Sequence, residues 1–235
     1  MLSNQQPQLI AVVPAAGVGS RMRSDRPKQY LKIHGITVLE HTVNKLLSHK
    51  LIGKVIIAVS ENDEYFPKLD LARNPDVIRV VGGGERADSV MSALRYVVNH
   101  FSTEWVLVHD AARPCFQLSD VDTLIDASFK NHIGGILASP VTDTMKRGDT
   151  SGRIEHTIDR RDMWHAFTPQ MFKVKLLFNA LSGALDSGVS ITDEASALEW
   201  SGTKPELVKG QTSNIKITQP EDLALAAFYI NRDKG

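Results

Sequence analysis

Cysteine is nearly absent from this chain, because Cys115 is the only one among 235 residues. An internal disulfide is therefore excluded, and a single thiol is typical of a reducing compartment. Net charge is absent as well, since 27 lysine and arginine residues balance 27 aspartate and glutamate residues. This balance disfavours a nucleic-acid partner, which selects for an excess of basic residues.

Long hydrophobic runs are also missing. No apolar run approaches the roughly 20 residues that span a bilayer, and Met1–Gln8 lacks the pattern of a signal peptide. We therefore expect a cytoplasmic protein without a membrane partner. The 42% of hydrophobic residues is ample for one core. Because no linker or repeat divides the chain, we predict a single domain over residues 1–235.

Short aliphatic runs alternate with segments of helical periodicity. The runs predict strands at Leu9–Val13, Lys54–Ser60, Val77–Val81, Trp105–His109, Gly134–Val141 and Asn214–Thr218. The periodic segments predict helices at Val38–Leu47, Ala87–Val98, Ser119–Phe129 and Val174–Ser187, and a shorter helix after an N-cap at Thr192. This alternation predicts an α/β fold, a Rossmann-like three-layer sandwich with a mostly parallel sheet. Ligands of such sheets lie beyond the carboxyl ends of the strands.

The stretch from Asp143 to Arg161 breaks this alternation. It is polar and charged, with turn residues from Gly148 to Gly152 and few apolar positions. We predict that it forms a β-hairpin arm projecting from the domain.

A glycine-rich segment follows the first predicted strand, from Pro14 to Met22, and continues to Pro27 and Lys28. Small residues let backbone N–H groups approach phosphate oxygens, and the segment is rich in basic residues. A plain strand-to-helix turn is the alternative reading. The Walker A pattern is not matched, and a dinucleotide fingerprint needs a glycine in place of Met22. The segment therefore predicts a nucleoside triphosphate site rather than an NAD site.

The segment Pro14–Met22, with Pro27–Gln29, resembles the signature of nucleotidyltransferases that use nucleoside triphosphates. More narrowly, the chain resembles the 2-C-methyl-D-erythritol 4-phosphate cytidylyltransferase family of the non-mevalonate isoprenoid pathway. Six further segments match that family in order, over a resemblance that runs from about Leu9 to Ile230: GGGERADSV (82–90), HDAARP (109–114), DTMK (143–146), TPQ (168–170), TDEA (192–195) and NIKIT (214–218).

The resemblance implies transfer of CMP from CTP to methylerythritol phosphate, with release of pyrophosphate. It implies that the transition state is stabilised by Arg21 and Lys28, and that the acceptor is positioned by Arg160 and Lys216. Contacts to CTP are implied for Ala15, Ala16, Gly17, Gly19, Gly83, Ser89 and Arg113. Hydroxyl contacts to the acceptor are implied for Thr144, Thr168 and Thr192. Asp110 would bind Mg²⁺.

Simpler roles remain open at several of these positions. Asp110 could instead pair with Arg113, Thr192 could only cap its helix, and Lys28 could belong to a solvated loop. His109 is expected to be a structural hydrogen-bonding residue rather than a general base. A cytidylyltransferase for a pentitol phosphate such as ribitol 5-phosphate, and a catalytically silent module, are the competing functions.

The arm at residues 143–161 has too few apolar residues to form a core of its own. The resemblance implies that it serves dimerisation. In such a homodimer, Arg160 would act in the active site of the neighbouring subunit. A hairpin folded back onto its own subunit is the alternative.

Overall fold

A seven-stranded sheet forms the centre of the computed structural model, which describes residues 9–17 and 26–233. Its strands follow the order β11-β7-β10-β6-β1-β4-β5. They are β1 (Leu9–Pro14), β4 (Ile52–Val59), β5 (Val77–Val81), β6 (Trp105–Val108), β7 (Gly134–Pro140), β10 (Trp164–Lys173) and β11 (Glu206–Lys209). Of these seven described strands, only β10 runs antiparallel to its neighbours. The predicted mostly parallel sheet is confirmed.

In the described part of the chain, two short pairs of strands lie outside this sheet. Strands β2 (Lys32–Ile33) and β3 (Ile36–Thr37) form one antiparallel pair, and β8 (Met145–Gly148) and β9 (Ile154–Ile158) form the other. The second pair is the hairpin predicted between Asp143 and Arg161.

The described residues form six α-helices: α1 (Val38–Leu47), α2 (Arg86–His100), α3 (Leu118–Asn131), α4 (Val174–Asp186), α5 (Glu194–Trp200) and α6 (Pro220–Arg232). A capping box starts α1, because the Thr37 hydroxyl accepts the N–H of Glu40 and the Glu40 carboxylate accepts the N–H of Thr37. In the described part of the chain, no helix is long and apolar enough to cross a membrane.

Alternation along the buried strands divides the core between the two faces of the sheet. On β1, Leu9, Ala11 and Val13 join a cluster with residues of α1 and α3. The residues between them, Ile10 and Val12, join a second cluster with α2, α4 and α5. Strands buried on both faces are typical of parallel sheets between two helical layers. The predicted three-layer arrangement is confirmed.

The end of the chain departs from the predicted pattern. The prediction of a strand at Asn214–Thr218 is wrong, since this segment joins no sheet. It is held instead by single bonds, such as the one from the N–H of Ile217 to the carbonyl of Ala112 at 2.8 Å. The last strand of the sheet is the short, charged β11, which pairs with β7 at the edge.

The antiparallel strand β10 was not predicted either, because its polar residues and Pro169 obscure any strand periodicity. The prediction of Thr192 as the N-cap of α5 is also wrong. The cap is Asp193, whose Oδ1 accepts the N–H of Ser196 at 2.9 Å.

Stability should depend on the centre of the sheet far more than on its edge. Leu107 is fully buried on β6, between β1 and β10, so Leu107→Ala should lower the free energy of unfolding by about 2–5 kcal/mol. The control is Leu207→Ala on the edge strand β11, where the side chain is 45% exposed; it should cost less than about 1 kcal/mol. Urea denaturation of both variants measures the difference, and equal midpoints would contradict this view of the core.

Candidate active site

A pocket opens beyond the carboxyl ends of the parallel strands, where this fold class binds ligands. Loops after β1, β5 and β6 form its walls, and one residue of the segment after β11 completes it. The lining residues are Pro14, Ala15, Ala16, Gly17, Lys28, Gln29, Gly83, Gly84, Glu85, Arg86, Ser89, Asp110, Ala111, Ala112 and Lys216.

One wall of this pocket is the segment after β1. The buried Gln29 side chain fixes it, because its Nε2 donates to the carbonyls of Ala15 at 2.7 Å and Gly17 at 3.1 Å. Gln29 belongs to the short 3₁₀ helix Lys28–Tyr30, so these two bonds also place Lys28 beside the pocket. Gly19 and Arg21, which the resemblance assigns to CTP and to the transition state, lie outside the described residues.

The opposite wall is the loop that joins β5 to α2. It approaches the first wall closely, since a Cβ at Gly82 would lie only 2.7 Å from the Cβ of Ala16. The buried Ser89 hydroxyl accepts the N–H of Gly83 and donates to the carbonyl of Glu85, both at 3.2 Å. The predicted nucleotide contacts Ala15, Gly83 and Ser89 therefore lie around one pocket.

Asp110 lies on the floor of the pocket, just after β6, and is surrounded by cations. Its Oδ1 accepts from Nε of Arg86 at 2.8 Å, and its Oδ2 lies 2.7 Å from Nζ of Lys216. Nε of Arg113 lies 3.7 Å from the same Oδ2. Burial alone would raise the pKa of Asp110, but the charges of Arg86, Lys216 and Arg113 hold it well below its usual range. The carboxylate is therefore ionised throughout the neutral range.

Arg86 links this carboxylate to a second one. Its Nη1 and Nη2 donate to the two carboxylate oxygens of Glu194 at 2.6 and 3.0 Å. Burial would lower the pKa of Arg86, but Glu194 and Asp110 raise it above its usual range. With Arg113 and Lys216, the cluster holds three cations against two carboxylates, so it carries an excess of positive charge.

His109 is buried directly behind Asp110 and links β6 to β10. Its Nε2 donates to the carbonyl of Arg113 at 2.9 Å, so its Nδ1 is the acceptor of the Thr168 hydroxyl at 3.0 Å. The same hydroxyl accepts the N–H of Asp110 at 3.0 Å. Burial lowers the pKa of His109 to about 4, so the ring is neutral and fits the structural role expected of it.

A second pocket adjoins the first and shares Arg86, Asp110 and Lys216 with it. Its other lining residues are Arg113, Ala166, Phe167, Thr168, Gln170, Thr192 and Asp193. Two predicted acceptor contacts, Thr168 and Thr192, therefore lie in this second pocket. Arg113, predicted to contact CTP, also lines this pocket, where its guanidinium lies over the ring of Phe167.

The remaining predicted residues, Thr144 and Arg160, flank the base of the hairpin arm. Both side chains are exposed, and neither is among the residues that line the two pockets. Within the described residues of one subunit, these two positions are therefore not brought together with Lys216.

Three polar residues of the site were missed from the sequence. Arg86 lies within the matched segment GGGERADSV, but only the small residues of that segment are expected to contact the nucleotide. The sequence marks Glu194 only as a charge in the first turn of a helix, and Gln29 only as part of a signature. Their roles depend on partners 12 to 108 positions away in the chain, which no local pattern reveals.

The fold and this site define a nucleotidyltransferase, in which small-residue loops and a lysine lie beside an excess of positive charge. Similarity to known proteins identifies the family within that class. The sequence profile of the 2-C-methyl-D-erythritol 4-phosphate cytidylyltransferase family matches residues 9–232, and the chain belongs to this family.

Relatives and solved structures agree with this assignment. The chain is 64% identical over 226 residues to the 2-C-methyl-D-erythritol 4-phosphate cytidylyltransferase of Vibrio parahaemolyticus, covering 96% of this chain and 97% of the relative. It is 61% identical over 233 residues to that of Vibrio atlanticus, covering 99% and 100%. A crystal structure of 4-diphosphocytidyl-2C-methyl-D-erythritol synthase has a TM-score of 0.84 at 35% identity, covering 96% of this chain and 99% of that one. The family resemblance noted from the motifs is confirmed, and the pentitol phosphate alternative is not favoured.

Proposed function

We propose that this enzyme transfers CMP from CTP to 2-C-methyl-D-erythritol 4-phosphate, in the cytoplasm, for isoprenoid precursor biosynthesis. The products are 4-diphosphocytidyl-2-C-methyl-D-erythritol and pyrophosphate. The observation that carries the proposal is the pair of adjoining pockets that share Arg86, Asp110 and Lys216. A reaction between two phosphorylated substrates needs such a junction, where both anions meet the same positive charge.

The chemistry requires positioning and charge rather than a nucleophile from the protein. A phosphate oxygen of the acceptor attacks the α-phosphorus of CTP, and the bond from that phosphorus to pyrophosphate breaks. The attacking phosphate is already ionised, so no proton has to be removed from it. Preorganised cations that meet charge developing on the transferring group lower the barrier. The neutral, buried His109 is consistent with a site that works without a general base.

CTP is expected in the first pocket. Backbone groups of Ala15, Ala16 and Gly17 would contact the triphosphate, since small residues let phosphate oxygens approach the main chain. Gly83 and Ser89 would contact the cytosine edge across the pocket. Lys28 would stabilise the transferring phosphate, together with Arg21 and the backbone of Gly19 from the segment outside the described residues.

The acceptor is expected in the second pocket. Lys216 lies between the two pockets, with its side chain 36% exposed, so it can hold the acceptor phosphate toward the nucleotide. The exposed Thr192 can offer its hydroxyl to the polyol. The Thr168 hydroxyl already bonds to His109 and Asp110, so it would also keep the floor of this pocket in place. Arg113 can contact either substrate from its half-buried position.

We infer that Mg²⁺ accompanies CTP and is held in part by Asp110. This ionised carboxylate is a hard oxygen donor of the kind that Mg²⁺ prefers. Among the described residues, no group of three or more His, Cys, Asp or Glu side chains could hold a metal ion. Oxygens of the bound triphosphate would supply further ligands, as in many nucleotide enzymes. The ion, when bound, neutralises charge on the phosphates.

We also infer a homodimer in which residues 143–161 complete the neighbouring site. The arm is folded although it has no core: Asp149 Oδ1 at its tip accepts the N–H groups of Ser151 and Arg153 at 2.8 and 2.9 Å. Ile154 is nevertheless 67% exposed, and an isolated hairpin is marginal in water. A second copy of the same arm would cover such a surface by a self-complementary two-fold contact. Arg160 and Thr144 at the base would then reach the acceptor of the partner.

The activity is tested by crossing substrates. CTP, ATP, GTP and UTP are each combined with methylerythritol phosphate and with ribitol 5-phosphate, and pyrophosphate release is measured. We expect release above background with CTP and methylerythritol phosphate, because the family assignment specifies that pair. Comparable or faster release with ribitol 5-phosphate would overturn the proposed acceptor.

Removal of Lys28 should affect catalysis rather than folding. We expect Lys28→Ala to lower kcat by roughly 10²-fold or more, because one preorganised charge stabiliser is lost. Its unfolding midpoint should stay near that of the wild type, since a half-exposed lysine buries little surface. Lys32→Ala, at an exposed lysine on β2, is the matched control. If kcat of Lys28→Ala stays within about threefold of the wild-type value, Lys28 belongs to a solvated loop and does not stabilise the transition state.

Subunit mixing tests the arm. Arg160→Ala and Lys28→Ala subunits are refolded together in equal amounts, so that about half of the dimers contain one subunit of each kind. If Arg160 acts in the neighbouring site, one site of each mixed dimer carries both changes and the other is intact. Activity should then recover to about a quarter of the wild-type value, as a statistical dimer requires. No recovery would indicate that Arg160 serves its own subunit.

The control mixture combines Lys28→Ala with Lys216→Ala. Both lysines line the same pocket of one chain, so every site in a mixed dimer keeps one defect. Recovery in this control would show that complementation does not report on the arm.

A further inference from the structure

Glu194 is an unexpected charge for a buried position. Its side chain is only 2% exposed at the start of α5, yet it does not cap this helix, because Asp193 does. A buried carboxylate costs several kcal/mol unless it is paired and hydrogen-bonded. Helix formation therefore does not explain why a carboxylate is buried at this position.

Within the described residues, both hydrogen bonds of the Glu194 side chain go to Arg86. The two carboxylate oxygens accept from Nη1 and Nη2 at 2.6 and 3.0 Å, while Nε of the same guanidinium holds Asp110 at 2.8 Å. These bonds use three of the five N–H groups of the guanidinium. Because its three nitrogens are held from two sides, the plane of the Arg86 fork has one orientation.

This orientation determines which partner each carboxylate oxygen of Asp110 accepts from. Arg86 occupies Oδ1 through Nε alone, and Oδ2 lies 2.7 Å from Nζ of Lys216. An arginine fork prefers to hold a carboxylate with two parallel bonds. Without Glu194, Arg86 would be free to hold both oxygens of Asp110 and so compete with Lys216.

We propose that Glu194 is a positioning residue that acts through Arg86 to keep Lys216 on Asp110, at the junction of the two pockets. This inference rests on the proposed transfer reaction, because Lys216 is the group expected to hold the acceptor phosphate. Two N–H groups of Arg86 then remain for the phosphates that meet at the junction, and Glu194 fixes where they point.

The test compares Glu194→Gln with Glu199→Gln. The two glutamates share α5, but Glu199 is exposed, so the second variant controls for loss of charge on the helix. We expect Glu194→Gln to lower kcat roughly 10-fold and to raise KM for methylerythritol phosphate, while KM for CTP stays within about twofold. The split is expected because the Glu194 side chain bonds to Arg86, whose partner Asp110 holds Lys216, and none of its hydrogen bonds within the described residues goes to Gly17 or Gly83. Kinetic constants equal to those of Glu199→Gln would overturn the proposal.

A double variant separates positioning from an independent role. If Glu194 acts only through Arg86, then Glu194→Gln combined with Arg86→Lys should be no slower than Arg86→Lys alone. Losses that multiply would overturn the proposal. Should Glu194→Gln fail to fold, Glu194→Asp keeps the buried charge on a shorter stem, and the same split and the same double variant apply.

Crystal structures give a readout that does not depend on the substrate. We expect Arg86 in Glu194→Gln to turn both outer nitrogens toward Asp110, with Nζ of Lys216 moved beyond hydrogen-bonding distance. Unchanged contacts there would overturn the positioning role even if the kinetic constants differ. Failure of the proposed function is distinct, since it would appear as a wild-type enzyme that does not turn over CTP with methylerythritol phosphate.

Discussion

The site depends on one buried carboxylate, Asp110, and on the cations that it gathers. Two phosphorylated substrates repel each other, so an enzyme that joins them must hold positive charge at their junction. Cations packed together would repel each other too. Asp110 removes that difficulty, because Arg86, Lys216 and Arg113 all lie within 3.7 Å of its oxygens. The excess of positive charge left over is available to the substrates.

The fold supplies these charges from four separate parts of the chain. Asp110 follows β6, Arg86 begins α2, Glu194 begins α5, and Lys216 lies in the segment after β11. The carboxyl ends of parallel strands meet at one edge of a sheet, which brings such segments together. Antiparallel β10 adds Thr168, whose hydroxyl joins the N–H of Asp110 to His109. The floor of the site, which follows β6, is therefore also tied to β10.

The sequence predicts the parts of the fold that rest on local periodicity. Strand Val77–Val81 and helix Val38–Leu47 have the predicted bounds. The hydrophobic periodicity that identifies a buried strand or an amphipathic helix lies within the element itself. Strands β10 and β11 escaped prediction, since what holds them is pairing with β6 and β7. Neither strand has the aliphatic run that identifies a buried one.

The residues of the site also differ in whether a local pattern or a distant contact identifies them. Lys28, Asp110 and Lys216 could be singled out because they lie in short motifs, and the structure brings all three to one pocket. The pairing of Arg86 with Glu194 spans 108 positions, so only the folded chain shows that these residues act on each other. Contacts from a second subunit, such as the one expected of Arg160, depend on assembly and lie beyond any pattern within one chain.

The desolvation cost of this charge cluster accounts for its position in the fold. The middle of the sheet is apolar, and the cluster lies where the strands end. Buried ion pairs seldom stabilise a protein, because desolvation offsets their attraction. Among the described residues, the middle of the sheet contains none: Val12, Ile56 and Leu107 are fully buried among apolar neighbours. Burial of such side chains is the main stabilising contribution. The charged residues begin only where the strands end. A site that binds anions through unfavourably buried charges can therefore be maintained, because the apolar layers on both faces of the sheet stabilise the fold independently of it.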